Sequence, residues 1–193
     1  MKAQIIFILI IYVFLNSCLS NKHMEFNNIP INGSIEKFAN ELIKSGYTKP
    51  QLIKENQIKL NGLFLNKNCD IYVYGTRKNK TAYKVRVDFP VGVHDSLEYN
   101  FDKMQKLYSS KFGIGTNKYQ QFQNSARFLF NEPKRIRQIM IGDITIYTTD
   151  SGNITLEVRE GYISITYLDI LNNKIRNREL NEETNKDVKM DIN

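Results

Sequence analysis

The sequence predicts an α+β fold: two helix-plus-three-strand units whose antiparallel strands build a sheet with the helices on one face, followed by a C-terminal helix. Three observations carry this expectation. Helical spacing of apolar residues appears in both halves, each time closed by a K-x-G stop, Lys44 to Gly46 and Lys111 to Gly113. Each helical stretch is followed by short runs in which apolar residues occupy alternate positions. The joints TTDSGN and REGY supply the Gly and Asp that tight hairpins need.

The N-terminus stands apart from this pattern. Lys2 is followed by an uninterrupted apolar stretch from Ile5 to Leu15. As a helix that stretch is about 16 Å long, roughly half the hydrocarbon thickness of a bilayer, and too short to span it. A charged start, a short apolar run and small residues behind it describe a secretory signal. The run ends in Leu15-Asn16-Ser17-Cys18, which resembles the bacterial lipobox L-x-[AGS]-C, with Asn16 departing from the small or apolar residue usual at the second position. The resemblance implies that residues 1–17 are removed and that Cys18 becomes the lipidated first residue, carrying palmitate-like acyl chains. An ordinary secretory signal with an incidental cysteine is the alternative. Two or three acyl chains hold a protein stably on a membrane where one does not. Residues 18–25 then read as a lipidated tether. Cys69 is left as the single other cysteine, which excludes an intramolecular disulfide in the lipidated chain and suits a buried apolar thiol.

The 193 residues suit one domain, expected over 26–180 with halves at about 26–89 and 90–180, before a polar, fraying tail at 181–193. Eleven Tyr and eleven Phe supply the apolar area for a core, and argue against disorder. The net charge of +7 favours anionic partners, but an exported chain does not meet nucleic acid.

The elements follow in order. Ser34 caps a helix whose apolar stripe is Ile35, Phe38, Ala39, Leu42 and Ile43, and Gly46 stops it. Strands are predicted at Ile58 to Leu65, Cys69 to Tyr74 and Ala82 to Phe89. In the last, Tyr83, Val85, Val87 and Phe89 face one side, and Lys84, Arg86 and Asp88 the solvated other. Asp95 and Glu98 form a capping-box pattern for a second helix with the stripe Leu97, Phe101, Met104, Leu107 and Tyr108, ended by Gly113. Further strands fall at Gln138 to Thr149, Asn153 to Arg159 and Tyr162 to Asp169. A third helix starts near Leu171 and frays into the polar tail.

Little of this carries chemistry. His94, Asp95 and Ser96 are consecutive, so their side chains diverge and form no triad by themselves. His23, the other histidine, falls in the tether. The chain has no C-x-x-C, H-x-x-H or acidic calcium loop, so no metal and no cofactor is expected, and the F-G-I-G-T segment lacks the strand and lysine of a phosphate loop. Two basic stretches are the binding candidates. Arg77, Lys78 and Lys80 crowd a hairpin tip, where they also read as a solvated turn guarding an edge. The long connection from Ile114 to Arg137 mixes Arg127, Phe128, Phe130, Arg135 and Arg137, a composition that suits a binding surface, although Ala126 to Phe130 reads equally as another core strand.

Met24-x-Phe26-x-x-Ile29-Pro30-Ile31-x-Gly33-x-Ile35-x-x-Phe38-x-x-x-Leu42-x-x-x-Gly46-Tyr47, with Leu60-x-Gly62-x-Phe64, Val87-x-Phe89-Pro90, Lys111-Phe112-Gly113 and Tyr167-x-Asp169-x-x-Asn172, resembles a family of small lipoproteins of anaerobic gut bacteria. The shared motifs are turn glycines, helix stripes and strand starts, and the family has no assigned activity, so the resemblance implies no catalytic residue. Asp95-Ser96-Leu97 also resembles the D-[ST]-aliphatic O-glycosylation signal of surface proteins in that bacterial group, which would place sugar on Ser96. In architecture the tandem units look like the beta-lactamase-inhibitor protein and the small outer-membrane assembly lipoproteins, both binders.

The expectation is therefore a lipid-anchored, non-enzymatic binding or assembly module of the cell envelope, facing the periplasm from the outer membrane and engaging a protein or an envelope glycan. An immunity or inhibitor lipoprotein directed at a toxin or hydrolase is a narrower form of it. An envelope hydrolase using His94 is the competing class.

Overall fold

A computed structural model describes residues 22–90, 94–119, 144–159 and 162–190. The fold is α+β, with three helices and two antiparallel sheets among the described residues. A two-stranded hairpin, β1 (Glu25–Phe26) and β2 (Ile29–Pro30), leads into α1 (Ile35–Lys44). Then come β3 (Gln51–Lys54), β4 (Gln57–Phe64), β5 (Lys67–Gly75) and β6 (Ala82–Pro90). The second half runs α2 (His94–Phe112), β7 (Thr116–Tyr119), β8 (Ile144–Thr149), β9 (Gly152–Arg159) and β10 (Tyr162–Asp169), and α3 (Ile170–Met190) closes the chain.

The large sheet has the strand order β3-β4-β5-β6-β10-β9-β8-β7. Each half is thus a helix followed by an antiparallel meander, and the last strands of the two meanders pair at the centre. The expected two-unit arrangement is present, with four strands of the large sheet in each unit among the described residues in place of three. The additional strands, β3 and β7, are the outer ones. Gln51, Leu52, Ile53 and Lys54 are all exposed, so β3 has no alternation of burial to read.

Register separates two faces of opposite character. On one, Val85 lies opposite Tyr167, Val87 opposite Ile165 and Phe89 opposite Ile163. The same rows continue through Val73 and Ile71 on β5, Ile58 and Leu60 on β4, and Ile154, Leu156 and Val158 on β9. All of these are buried. The amphipathic stripes of α1 and α2 cover this face. Ile35, Phe38, Ala39 and Leu42 are buried from α1, and Leu97, Phe101, Met104 and Tyr108 from α2. Leu107, expected in the α2 stripe, is instead 48% exposed, because the helix turns it past the sheet towards the N-terminal hairpin.

Local signals operate as their chemistry dictates. The Ser34 hydroxyl accepts from the Lys37 amide at 3.2 Å, and Gly46 ends α1 at φ +98°. Gly113, at φ +81°, donates its amide to the Ser109 carbonyl and ends α2. Asn27 and Asn28 both take positive φ, as a two-residue hairpin turn requires. Leu65, expected as the last residue of a strand, sits with Asn66 in the equivalent turn between β4 and β5 at φ +52°. Tyr83 departs from the expected inward row, because a register shift at Gly75 leaves Ala82 buried in its place.

Two further corrections concern the chain ends. Residues 22–25, expected in a tether, are part of the fold. Met24 is buried, its amide donates to Asp169 Oδ2 at 2.8 Å, and the Ile31 amide donates to its carbonyl at 2.7 Å. The polar stretch 181–193, expected to fray, is helical to Met190, with 191–193 outside the described residues. Its acidic residues explain this. Glu183 pairs with Arg77, Glu182 pairs with Lys78, and Glu179 accepts from the Lys78 amide at 3.1 Å. The helix needs no apolar stripe there because the β5–β6 hairpin tip supplies opposite charge.

Gly152 opens β9 where the backbone of β10 passes closest. A Cβ at this position would lie 1.9 Å from the Leu168 carbonyl oxygen. Gly152→Ala is therefore expected to cost about 3 kcal/mol or more, read as a lowered midpoint in chemical denaturation, because backbone and not a pliable side chain must move.

Candidate functional site

The second face of the sheet is polar, and the pairing that builds the core also lays out its rows. One row runs Lys59, Tyr72, Arg86, Thr166 and Thr155 across β4, β5, β6, β10 and β9. The row beside it runs Gln57, Tyr74, Lys84, Leu168 and Asn153. The row on the other side runs Asn61, Asp70, Asp88, Ser164 and Glu157. Apart from Asp88 and Ser164, which are buried, these residues are half-buried. The expected outward side of β6, Lys84, Arg86 and Asp88, is thus the centre of a wider surface.

Cations lie over tyrosine rings throughout the first two rows. The Arg86 guanidinium is 4.5 Å from the Tyr72 ring centroid and 5.8 Å from that of Tyr74. Lys84 Nζ is 3.9 Å from the Tyr74 centroid and 5.8 Å from that of Tyr83. Arg176 of α3 brings its guanidinium to 5.8 Å from Tyr83, and Lys59 Nζ lies 5.6 Å from Tyr72. Each such contact contributes about 0.5–1 kcal/mol where it is partly exposed.

The charges on this face are unevenly matched. Lys59 pairs with Asp70 at 2.9 Å, Arg86 with Asp88 at 3.0 Å and Arg159 with Glu157 at 2.8 Å. Asp88 also accepts from the Ser164 hydroxyl at 2.9 Å. Burial pushes the Asp88 carboxyl above its ordinary range, opposed by Ser164, Arg86 and Arg159. Lys84 and Arg176 meet no carboxylate among the described residues, and Arg86 Nε is buried without a hydrogen-bond partner. Burial first, and then the charges of Arg86, Arg176 and Arg159, hold the Lys84 ammonium below the usual lysine range.

A concavity lies at the helix-covered side. A cleft of about 580 Å³ is walled by His23, Leu65, Leu107, Tyr108, Lys111 and Tyr167 among others. Its histidine and two tyrosines are partnered. His23 Nδ1 lies 3.0 Å from Asp169 Oδ2, and the Tyr108 and Tyr167 hydroxyls bond each other. Burial raises the Tyr108 hydroxyl to about 12 and Tyr167 well above its ordinary value. Asp169 is fully committed, since its other oxygen accepts the Asn172 amide at 2.7 Å as the cap of α3. The pairing of His23 with a residue 146 positions away left no local sequence signal.

The sequence-derived site residues fall as follows. Arg77 and Lys78 are held by α3, and Lys80 lies 3.8 Å from Glu55. The hairpin tip is therefore a clamp within the fold. Arg127, Phe128, Phe130, Arg135 and Arg137 lie outside the described residues, as do Cys18 and the side chains of His94, Asp95, Ser96 and Glu98. Cys69 is buried, with its thiol pushed up to about 11 by burial. Among the described residues no group of three metal-ligating side chains occurs, and no helix is long and apolar enough to cross a membrane. Sequence reasoning missed Tyr72, Tyr74, Tyr83 and Arg176 as members of one surface. Tyrosine alternation on β5 was the available signal.

No protein-family profile, no curated protein and no solved structure matches this chain. The polar face must be read from its own chemistry.

Because the native state lowers the Lys84 pKa, the unfolded chain binds more protons just below the ordinary lysine range, and stability rises with pH through that window. Below it the charged ammonium is a net cost. Lys84→Met is expected to flatten the rise in stability towards pH 10, measured by urea denaturation across pH against the unchanged chain.

Proposed function

We propose that the protein is a lipid-anchored, non-enzymatic module of the cell envelope that binds a protein partner through the polar face of its sheet. The observation that carries this reading is the array of Arg86, Lys84 and Arg176 over Tyr72, Tyr74 and Tyr83 on a half-exposed sheet surface. Tyrosine and arginine offer large, rigid contact area at small entropic cost, which is why they dominate binding hot spots. The array spends stability on cations that the fold leaves unmatched, a cost that function can explain. The lipobox-like LNSC segment supplies the anchor. Acyl chains on Cys18 would hold the folded residues, which begin by Lys22, within about 15 Å of contour from the membrane.

An inhibitor or immunity role is the narrower form of this proposal, since a flat tyrosine-rich face suits the surface of a folded enzyme. Envelope hydrolysis using His94 is the second reading; the side chain of His94 lies outside the described residues, and the other histidine, His23, is bound with Asp169 into the fold.

A photo-crosslinking residue at Thr166, central on the face, is expected to capture a partner in intact cells, whereas one at exposed Glu36 on α1 is not. Equal yield at both positions would remove the polar face from consideration. For the anchor, intact-mass analysis of the membrane fraction is expected to find acylated Cys18 as the first residue, and Cys18→Ala to release the protein from membranes. An unmodified cysteine, or membrane retention of the variant, would refute the anchor.

A further inference from the structure

We propose that Lys84, Arg86 and Arg176 form a carboxylate-binding site, and that its ligand is an acidic segment of the protein partner. This rests on the reading of the polar face as the docking surface. The three cations are strung over three tyrosines, with Lys84 at the middle and within 3.9 Å of the Tyr74 centroid. Two of them meet no carboxylate among the described residues, and the third keeps Nε buried without a hydrogen-bond partner. An incoming carboxylate would accept from Lys84 and Arg176 and offset the repulsion of the three cations, of which Arg86 already pairs with Asp88. Charge-assisted hydrogen bonds of this kind are the strong ones, and arginine presents them in a planar fork that matches a carboxylate.

The neighbouring row decides between classes of anion. Asp70, Asp88 and Glu157 lie one row away from Lys59 and Arg86. A uniform polyanion or an anionic membrane laid on the face would meet this acidic row as well as the basic cluster. A protein segment can place carboxylates on Lys84 and Arg176 and turn other groups towards Asp70 and Glu157. The tyrosine rings between the cations add apolar area that a side chain can cover and a phosphate cannot. Binding should also reverse the perturbation of Lys84. A bound carboxylate favours the ammonium, so its pKa rises from its lowered value on binding.

The test uses the full chain in nanodiscs of zwitterionic phospholipid, with lysines reductively methylated with ¹³C and the Lys84 signal assigned by loss in Lys84→Gln. Titration with hexaglutamate is expected to saturate and to raise the Lys84 pKa. Lys84→Gln and Arg176→Gln, followed by amide shifts, should each weaken binding about tenfold or more, and salt should weaken it further. Absence of saturation, equal binding of inorganic phosphate or of phosphatidylglycerol vesicles, or unchanged affinity in both variants would overturn the proposal. Partner capture at Thr166 that persists undiminished in Lys84→Glu would overturn the carboxylate site while leaving the docking face standing.

Discussion

The antiparallel pairing of β6 with β10 is the constraint on which the rest of the molecule depends. These strands end the two meanders, and their register sets Val85 against Tyr167, Val87 against Ile165 and Phe89 against Ile163. A slip of one residue would bring Lys84, Arg86 and Asp88 into the core and push the valines into water, so burial of one face enforces the register. The same pairing sets Arg86 beside Thr166 and Asp88 beside Ser164 on the reverse face. Core and candidate site are two consequences of a single alignment.

Asp169 secures the end of that central pair. Its carboxylate receives the Met24 amide, contacts His23 and caps α3 through the Asn172 amide. Asn172 then donates to the Ile31 and Ala82 carbonyls at 3.0 and 2.8 Å. Two neighbouring polar residues thus join the N-terminal hairpin, the start of β6 and the last helix. They also orient α3, which carries Arg176 to Tyr83 and its acidic turns to Arg77 and Lys78. The order of the C-terminal helix and the composition of the polar face are therefore coupled.

The polar face contrasts with the cleft at the opposite side in the way its charges are treated. In the cleft, histidine, aspartate and the two tyrosine hydroxyls answer one another. On the sheet face Lys84 and Arg176 are held near other cations, with aromatic rings as their support. Lys84 thus combines a desolvated, cation-crowded ammonium with a supporting aromatic ring. That mismatch is what sets the polar face apart from the cleft.

Sequence alone was sufficient where the signal is local. Ser34 and Gly46 bracket α1, Gly113 stops α2, and the alternation in β6, β9 and β10 marks strands whose one face is buried. It also supplied the two-unit organisation, because each helix stop is followed by strands within a short span. Only the tertiary structure decided the rest. The outer strand β3 has no buried face to betray it, His23 finds Asp169 across 146 residues, and a polar helix end is stabilised by a distant hairpin. Arg77 and Lys78, which read as a free basic patch, are neutralised by that helix, whereas Lys84 and Arg176 are left unmatched. Local propensity depends on neighbours in the chain, but the charge balance of a surface depends on which distant residues the fold brings together.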